Sequence, residues 1–307
     1  MKAIRQVKKL KLPTSYTFAL SMQGDRLAVI GRNVVMTNPV LLTRLYSCHP
    51  ISHPSYAAFS PDGATLAVKS TSGEIVLLEV DSGEIIFNFR NKTDGEGPTV
   101  AFSVCGKYLV DACWNGQIIV RDAFHQVPDL RHTFDGEMIV DVLPSADRST
   151  WAFIHQPKAT SKKEFSKLPY VTVWKWPLID YRVLSSEIRI NSSALSPDGN
   201  VVAITGESVL HFLSTERGTI LKSVPVERCK RIRWSPDGTL IALVLQSSIS
   251  VHTFPSFEVV NVFEQEDASD VCFAPDQSFI ALGGWTGGIV RPFSEALNGA
   301  DCATGPA

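Results

Sequence analysis

The sequence predicts an all-β fold, a seven-bladed β-propeller of four-stranded antiparallel blades closed by an N-terminal strand that completes the last blade. Three observations predict it. A Ser-Pro-Asp-Gly-type turn recurs seven times, opening at Ser21, Ser60, Ser103, Ser145, Ser196, Ser235 and, once replaced, Ala274. Seven positions after each opening stands a small apolar residue (Ala28, Ala67, Val110, Ala152, Ala203, Ala242, Ala281), preceded each time by a larger one (Leu27, Leu66, Leu109, Trp151, Val202, Ile241, Ile280). The turns lie 39 to 51 residues apart. A fixed period of that size marks a repeat fold. The apolar residues between turns alternate with period two or form short β-branched runs, which selects four strands per repeat over two helices.

The elements are taken in chain order. Residues 3–10 form a strand-length run with no place in the first repeat, which begins near Ser15. The second repeat shows the full grammar, with strands at residues 56–59, 65–68, 75–78 and 85–89 separated by tight turns. In the fourth repeat residues 157–169 form an insertion. The seventh repeat offers strands at residues 270–273, 279–282 and 288–291, then breaks into a small-residue tail, 298–307, without a fourth strand. The spare run at residues 1–10 is therefore expected to close blade seven. Residues 1–297 make one domain.

Each turn residue has a mechanical role. Proline fixes φ at the first corner, aspartate bonds its own backbone, and glycine takes the positive φ that completes the hairpin. Asp62, Asp198 and Asp237 are thus read as turn formers and not as acids for catalysis. A four-stranded sheet this small cannot bury both faces alone; radial stacking covers them and protects the edges.

With these residues in place the chain resembles the WD40-type β-propellers over nearly its whole length. Residues 113–122, Cys-Trp-Asn-Gly-Gln-Ile-Ile-Val-Arg-Asp, resemble that family's passage from second to third strand, and Val171-Thr172-Val173-Trp174-Lys175 is a second partial match. The repeats lack intact Trp-Asp and Gly-His pairs. The resemblance implies that loops joining outer to next inner strand, and second to third strand, share one face, commonly used for binding.

Composition bounds the function. Of 307 residues 44% are hydrophobic and 20% charged, which are globular values, and the chain has no long apolar span. The N-terminus scatters its charges among apolar residues and lacks a secretory core; a cytoplasmic protein is expected. The net charge of −2 argues against nucleic acid as a partner, and a membrane is not expected either. The six cysteines are spread along the chain without short paired spacing and read as reduced thiols.

No nucleophile elbow, phosphate loop, zinc-protease helix motif or calcium loop occurs, so no catalytic residue, cofactor or enzymatic activity is expected. Cys48, His49 and His53 place one thiol and two imidazoles in a short loop, but a structural zinc site needs a fourth ligand and the flanking prolines mark an ordinary turn; no metal is expected. Trp174 and Trp176 alternate on a strand and are expected to pack between blades.

The candidate binding residues come from the shared loop face. Trp114 and Trp285 occupy second-to-third-strand turns of blades three and seven, where strand alternation gives no core position. The blade-four insertion carries Lys162, Lys163, Phe165 and Lys167, a basic segment with an apolar anchor, and Glu264, Glu266 and Asp267 form an acidic stretch between blades six and seven. The expectation is a non-enzymatic, monomeric interaction scaffold or regulatory module that binds another protein or a peptide. The alternative is a small-molecule-binding or enzymatic propeller whose site lies at the mouth of the central channel.

Overall fold

Seven antiparallel sheets, each of four strands, succeed one another around an axis. The computed structural model describes residues 9–89, 97, 99–125, 127–158, 167–186 and 188–293. Blades one to six use strands consecutive in the chain, and blade seven is completed from the other end of the sequence. Leu10–Leu12 pairs antiparallel with Gly288–Pro292, Leu10 opposite Val290 and Leu12 opposite Gly288. The clasp sits later than the expected run, which overlaps it only at Leu10; residues 3–8 lie outside the described residues. The placement has a packing reason, because Leu12 is buried in the cluster between blades seven and one.

Seven apolar clusters fill the seven junctions between neighbouring blades. The paired residues after each turn explain how. All fourteen are fully buried on the second strand of their blade. Successive strand residues point to opposite faces, so each pair splits between two junctions: Leu66 joins the cluster with blade one and Ala67 the cluster with blade three. At every junction a large side chain of one blade meets the small one of its neighbour, such as Leu66 beside Ala28 and Ile241 beside Ala203. Close packing of this kind is why the small position tolerates so little variation along the chain.

The turn serines act as expected of their neighbours. In blade five the Ser196 hydroxyl donates to Asp198 (2.5 Å) and accepts from the backbone N–H of Val201 (2.9 Å), while Asp198 also accepts from the N–H of Asn200 (3.1 Å). Asp62 and Asp237 repeat this pattern. Two turns lack the glycine. Arg148 and Gln277 take its place at φ 56° and 57°, in the left-handed region that side chains rarely enter.

Trp174 and Trp176 both pack in the cluster between blades three and four, Trp176 against Trp151 at 5.9 Å between ring centroids. Between blades two and three the fully buried Lys69 is neutralised by Asp111 (2.5 Å) and also bonds the Ala112 carbonyl (2.7 Å). No helix is long and apolar enough to cross a membrane among the described residues.

Candidate functional site in the central channel

The repeat ruler, read four residues back from each turn opening, gives Thr17, Tyr56, Thr99, Asp141, Ser192, Arg231 and Asp270. Every one is polar. All seven belong to the inner-strand layer or its immediate approach, where seven equivalent positions converge on the axis. Hydrogen bonds show the convergence: the Arg231 guanidinium, from blade six, reaches the Thr17 hydroxyl of blade one at 2.7 Å, across blade seven. Thr17, Ser192 and Arg231 open their strands, so the ring lies toward the channel end surrounded by the interblade linkers.

Bulges help aim these side chains. Register shifts precede Tyr56, Asp141 and Asp270, between Pro54 and Tyr56, Ile139 and Asp141, and Ala268 and Asp270. An extra residue in one strand bends it and re-aims the side chains beyond the bend.

Asp270 is the electrostatic centre. One oxygen accepts from the Thr17 hydroxyl (2.7 Å), the Phe18 N–H, Arg231 Nη1 and Arg233 Nη2 (3.0 Å each); the other accepts from Arg233 Nε (3.0 Å) and the Val271 N–H (2.9 Å). Burial opposes its charge, but Arg233 and Arg231 and these hydrogen bonds outweigh it and hold the carboxyl at about 2. Burial likewise opposes the charge of Arg233, and Asp270 overrides it, raising the guanidinium above its ordinary value. Asp270 is fully buried, whereas the side chains of Arg231 and Arg233 remain 30% and 27% exposed. Arg231 Nε and Nη2 and Arg233 Nη1 have no hydrogen-bond partner among the described residues.

Asp141 has the opposite environment. It accepts from the Ser193 hydroxyl (3.2 Å) and the Val142 N–H (3.0 Å), and no cation lies within 4.0 Å of it among the described residues. Burial pushes its carboxyl up to about 6 against the pull of Arg233, Arg231 and the two hydrogen bonds. The Tyr56 phenol, which feels the same two arginines and both aspartates, is raised by burial. At the turn end Arg148 donates to the Phe102 carbonyl, and burial lowers its guanidinium to about 10.

The residues singled out from the sequence lie elsewhere. Trp114 and Trp285 stand in the expected turns, 39% and 55% exposed, and Trp285 packs on Tyr16 with ring centroids 4.8 Å apart. Glu264 ends the outer strand of blade six; the linker continues through Glu266 to Asp267, whose carbonyl accepts from the Trp285 N–H (3.1 Å). The structure thus joins the acidic stretch to Trp285 but leaves Trp114 on blade three. Lys167 lies within electrostatic reach of Glu137 on blade four. Lys162, Lys163 and Phe165 lie outside the described residues. His49 bonds Asn33 (3.1 Å), and no group of three or more metal-ligating side chains occurs among the described residues.

No family model matches the chain, and no curated protein matches it. Among solved structures it is similar to hydrazine synthase of Kuenenia stuttgartiensis, at 15% identity with a TM-score of 0.74, covering 95% of this chain and 98% of that one. At this identity the likeness shows the fold alone. It nevertheless corrects the expectation of a non-enzymatic interaction scaffold, which ran from a rigid ring with variable loops to a binding platform: the same ring occurs in an enzyme, so the architecture does not select that role. The side chains that distinguish this ring are the charged set on its inner strands, Asp141, Arg231, Arg233 and Asp270.

Proposed function

We propose that the propeller binds a small molecule in its central channel through a carboxylate or phosphate group held by Arg231 and Arg233. The observation that carries this reading is two guanidinium groups sharing one carboxylate that is enclosed by six donors, while their own side chains stay 30% and 27% exposed. Asp270 fixes the arginines in place, which lowers the ordering cost of binding, and a planar guanidinium suits a carboxylate or phosphate better than a point charge does. Two arginines against Asp270 leave one positive charge, which Asp141 cancels only when ionised. Anion binding is therefore expected to strengthen as pH falls through about 6, where Asp141 takes up its proton. A WD40-type reading of the repeats draws support from the turn chemistry and from Trp174, whose indole donates to the Thr172 hydroxyl (2.8 Å), itself bonded to His155 (2.8 Å).

Calorimetric titration with propionate, succinate and inorganic phosphate at constant ionic strength tests the proposal. Saturable binding is expected for at least one of them, weakened about tenfold or more in Arg231→Gln and Arg233→Gln, since a hydrogen bond to a charged group contributes about 1.5–3 kcal/mol. Heats no different from those of added chloride would overturn it.

A further inference from the structure

We infer that the channel ligand is a zwitterion of the amino-acid class, with its carboxylate on Arg231 and Arg233 and its ammonium group on Asp141. This rests on the channel-binding reading above and names the second half of the recognition. The ring carries opposite charges on different blades, the arginines on blade six and Asp141 on blade four. They are close enough to feel one another yet no cation lies within 4.0 Å of Asp141 among the described residues, so the two charges are separated by more than an ion pair. Asp270 already satisfies one arginine charge and is enclosed by six donors, which leaves it no capacity for an ammonium group. Asp141 has two, both from neutral donors, and each oxygen keeps acceptor capacity.

Asp141 is half-buried with no cation within 4.0 Å among the described residues, and burial opposes its charge; a ligand ammonium group would relieve that cost. The Tyr56 phenol, electrostatically coupled to both Asp141 and Arg233, stands on the same ring and can accept a second ammonium N–H. A plain carboxylate would meet the arginines but add negative charge beside ionised Asp141. A zwitterion adds none. Discrimination between the two is the difference of these affinities, and the repulsive element, Asp141, supplies part of it.

The test uses the whole protein at pH 7.5 and compares L-alanine, β-alanine and γ-aminobutyrate with propionate, butyrate and ethylamine by calorimetric titration. At least one amino acid is expected to bind about tenfold or more tightly than the carboxylate of matching carbon skeleton, with ethylamine weakest. Asp141→Asn, which breaks no ion pair, is expected to abolish that preference while propionate binding is retained or strengthened; Arg233→Gln is expected to weaken both classes. Propionate or butyrate binding as tightly as every amino acid, or a preference that survives Asp141→Asn, would overturn this inference and leave the anion site standing. Absence of binding by all six compounds and by phosphate would overturn both.

Discussion

Asp141 and Asp270 occupy the same place in their repeats, and their surroundings drive them in opposite directions. Asp270, enclosed by six donors, stays ionised down to about 2; Asp141, with two neutral donors, is pushed up to about 6. Their effects on stability therefore differ in sign. Asp270 binds fewer protons folded than unfolded, so its contribution is present above its ordinary value of 3.8 and is lost as pH falls toward 2. Asp141 binds more protons folded, so stability declines as pH rises from 3.8 through about 6. Asp141→Asn is accordingly expected to stabilise the protein at pH 7.5 by about 1–3 kcal/mol and to flatten the pH dependence between 4 and about 6.5. Asp270→Asn should destabilise by about 3–5 kcal/mol, because it leaves two arginines without their carboxylate. Urea melts of both variants across this pH range check the pair; a D141N protein less stable than wild type at pH 7.5 would contradict the assignment.

At the scale of the hairpin, the turns were legible because their chemistry is local. Ser196, Asp198 and Gly199 need only one another and the next strand to form the bonds observed, so sequence spacing suffices to read them. Gly199, at φ 72°, also approaches its neighbour: a Cβ there would lie 2.8 Å from Thr150 of blade four. Gly136 has a similar φ of 77° and open space around it. Alanine at Gly136 is expected to cost about 1–2 kcal/mol from the left-handed backbone alone, and alanine at Gly199 measurably more; equal losses in thermal or urea denaturation would show that the contact with blade four contributes nothing. The polar ring was legible by the same ruler, four residues upstream of each turn, but nothing local distinguishes Arg231 from a surface arginine. Its meaning depends on Thr17, distant in sequence, and on Asp270, and on bulges that no spacing announces.

For the whole molecule, a ring differs from a linear stack in having no free end, provided the last junction is made. The cluster between blades seven and one contains Leu12 of the clasp and Val290 of the strand it pairs with, beside Phe18, Leu27 and Val29 of blade one. It is composed like the other six, so nothing in its packing marks it as a weak seam. Among the described residues, however, the clasp is the shortest outer strand, three residues in Leu10–Leu12 against six in Val259–Glu264 of the preceding blade. Opening there costs fewer ladder hydrogen bonds than opening elsewhere, and once it reaches the inner strands it frees the Thr17 and Phe18 contacts to Asp270 and the Arg231 contact to Thr17. Leu12→Ala is therefore expected to lower stability by about 2–4 kcal/mol and, in native-state hydrogen exchange, to speed the amides of residues 288–292 and 17–20 before those of blades three to five. Because Thr17 and Asp270 flank that junction, the same substitution should weaken anion binding without touching a channel residue. Uniform acceleration around the ring, with binding unchanged, would mean that the termini lock no more than their own strands and that the channel is assembled independently of closure.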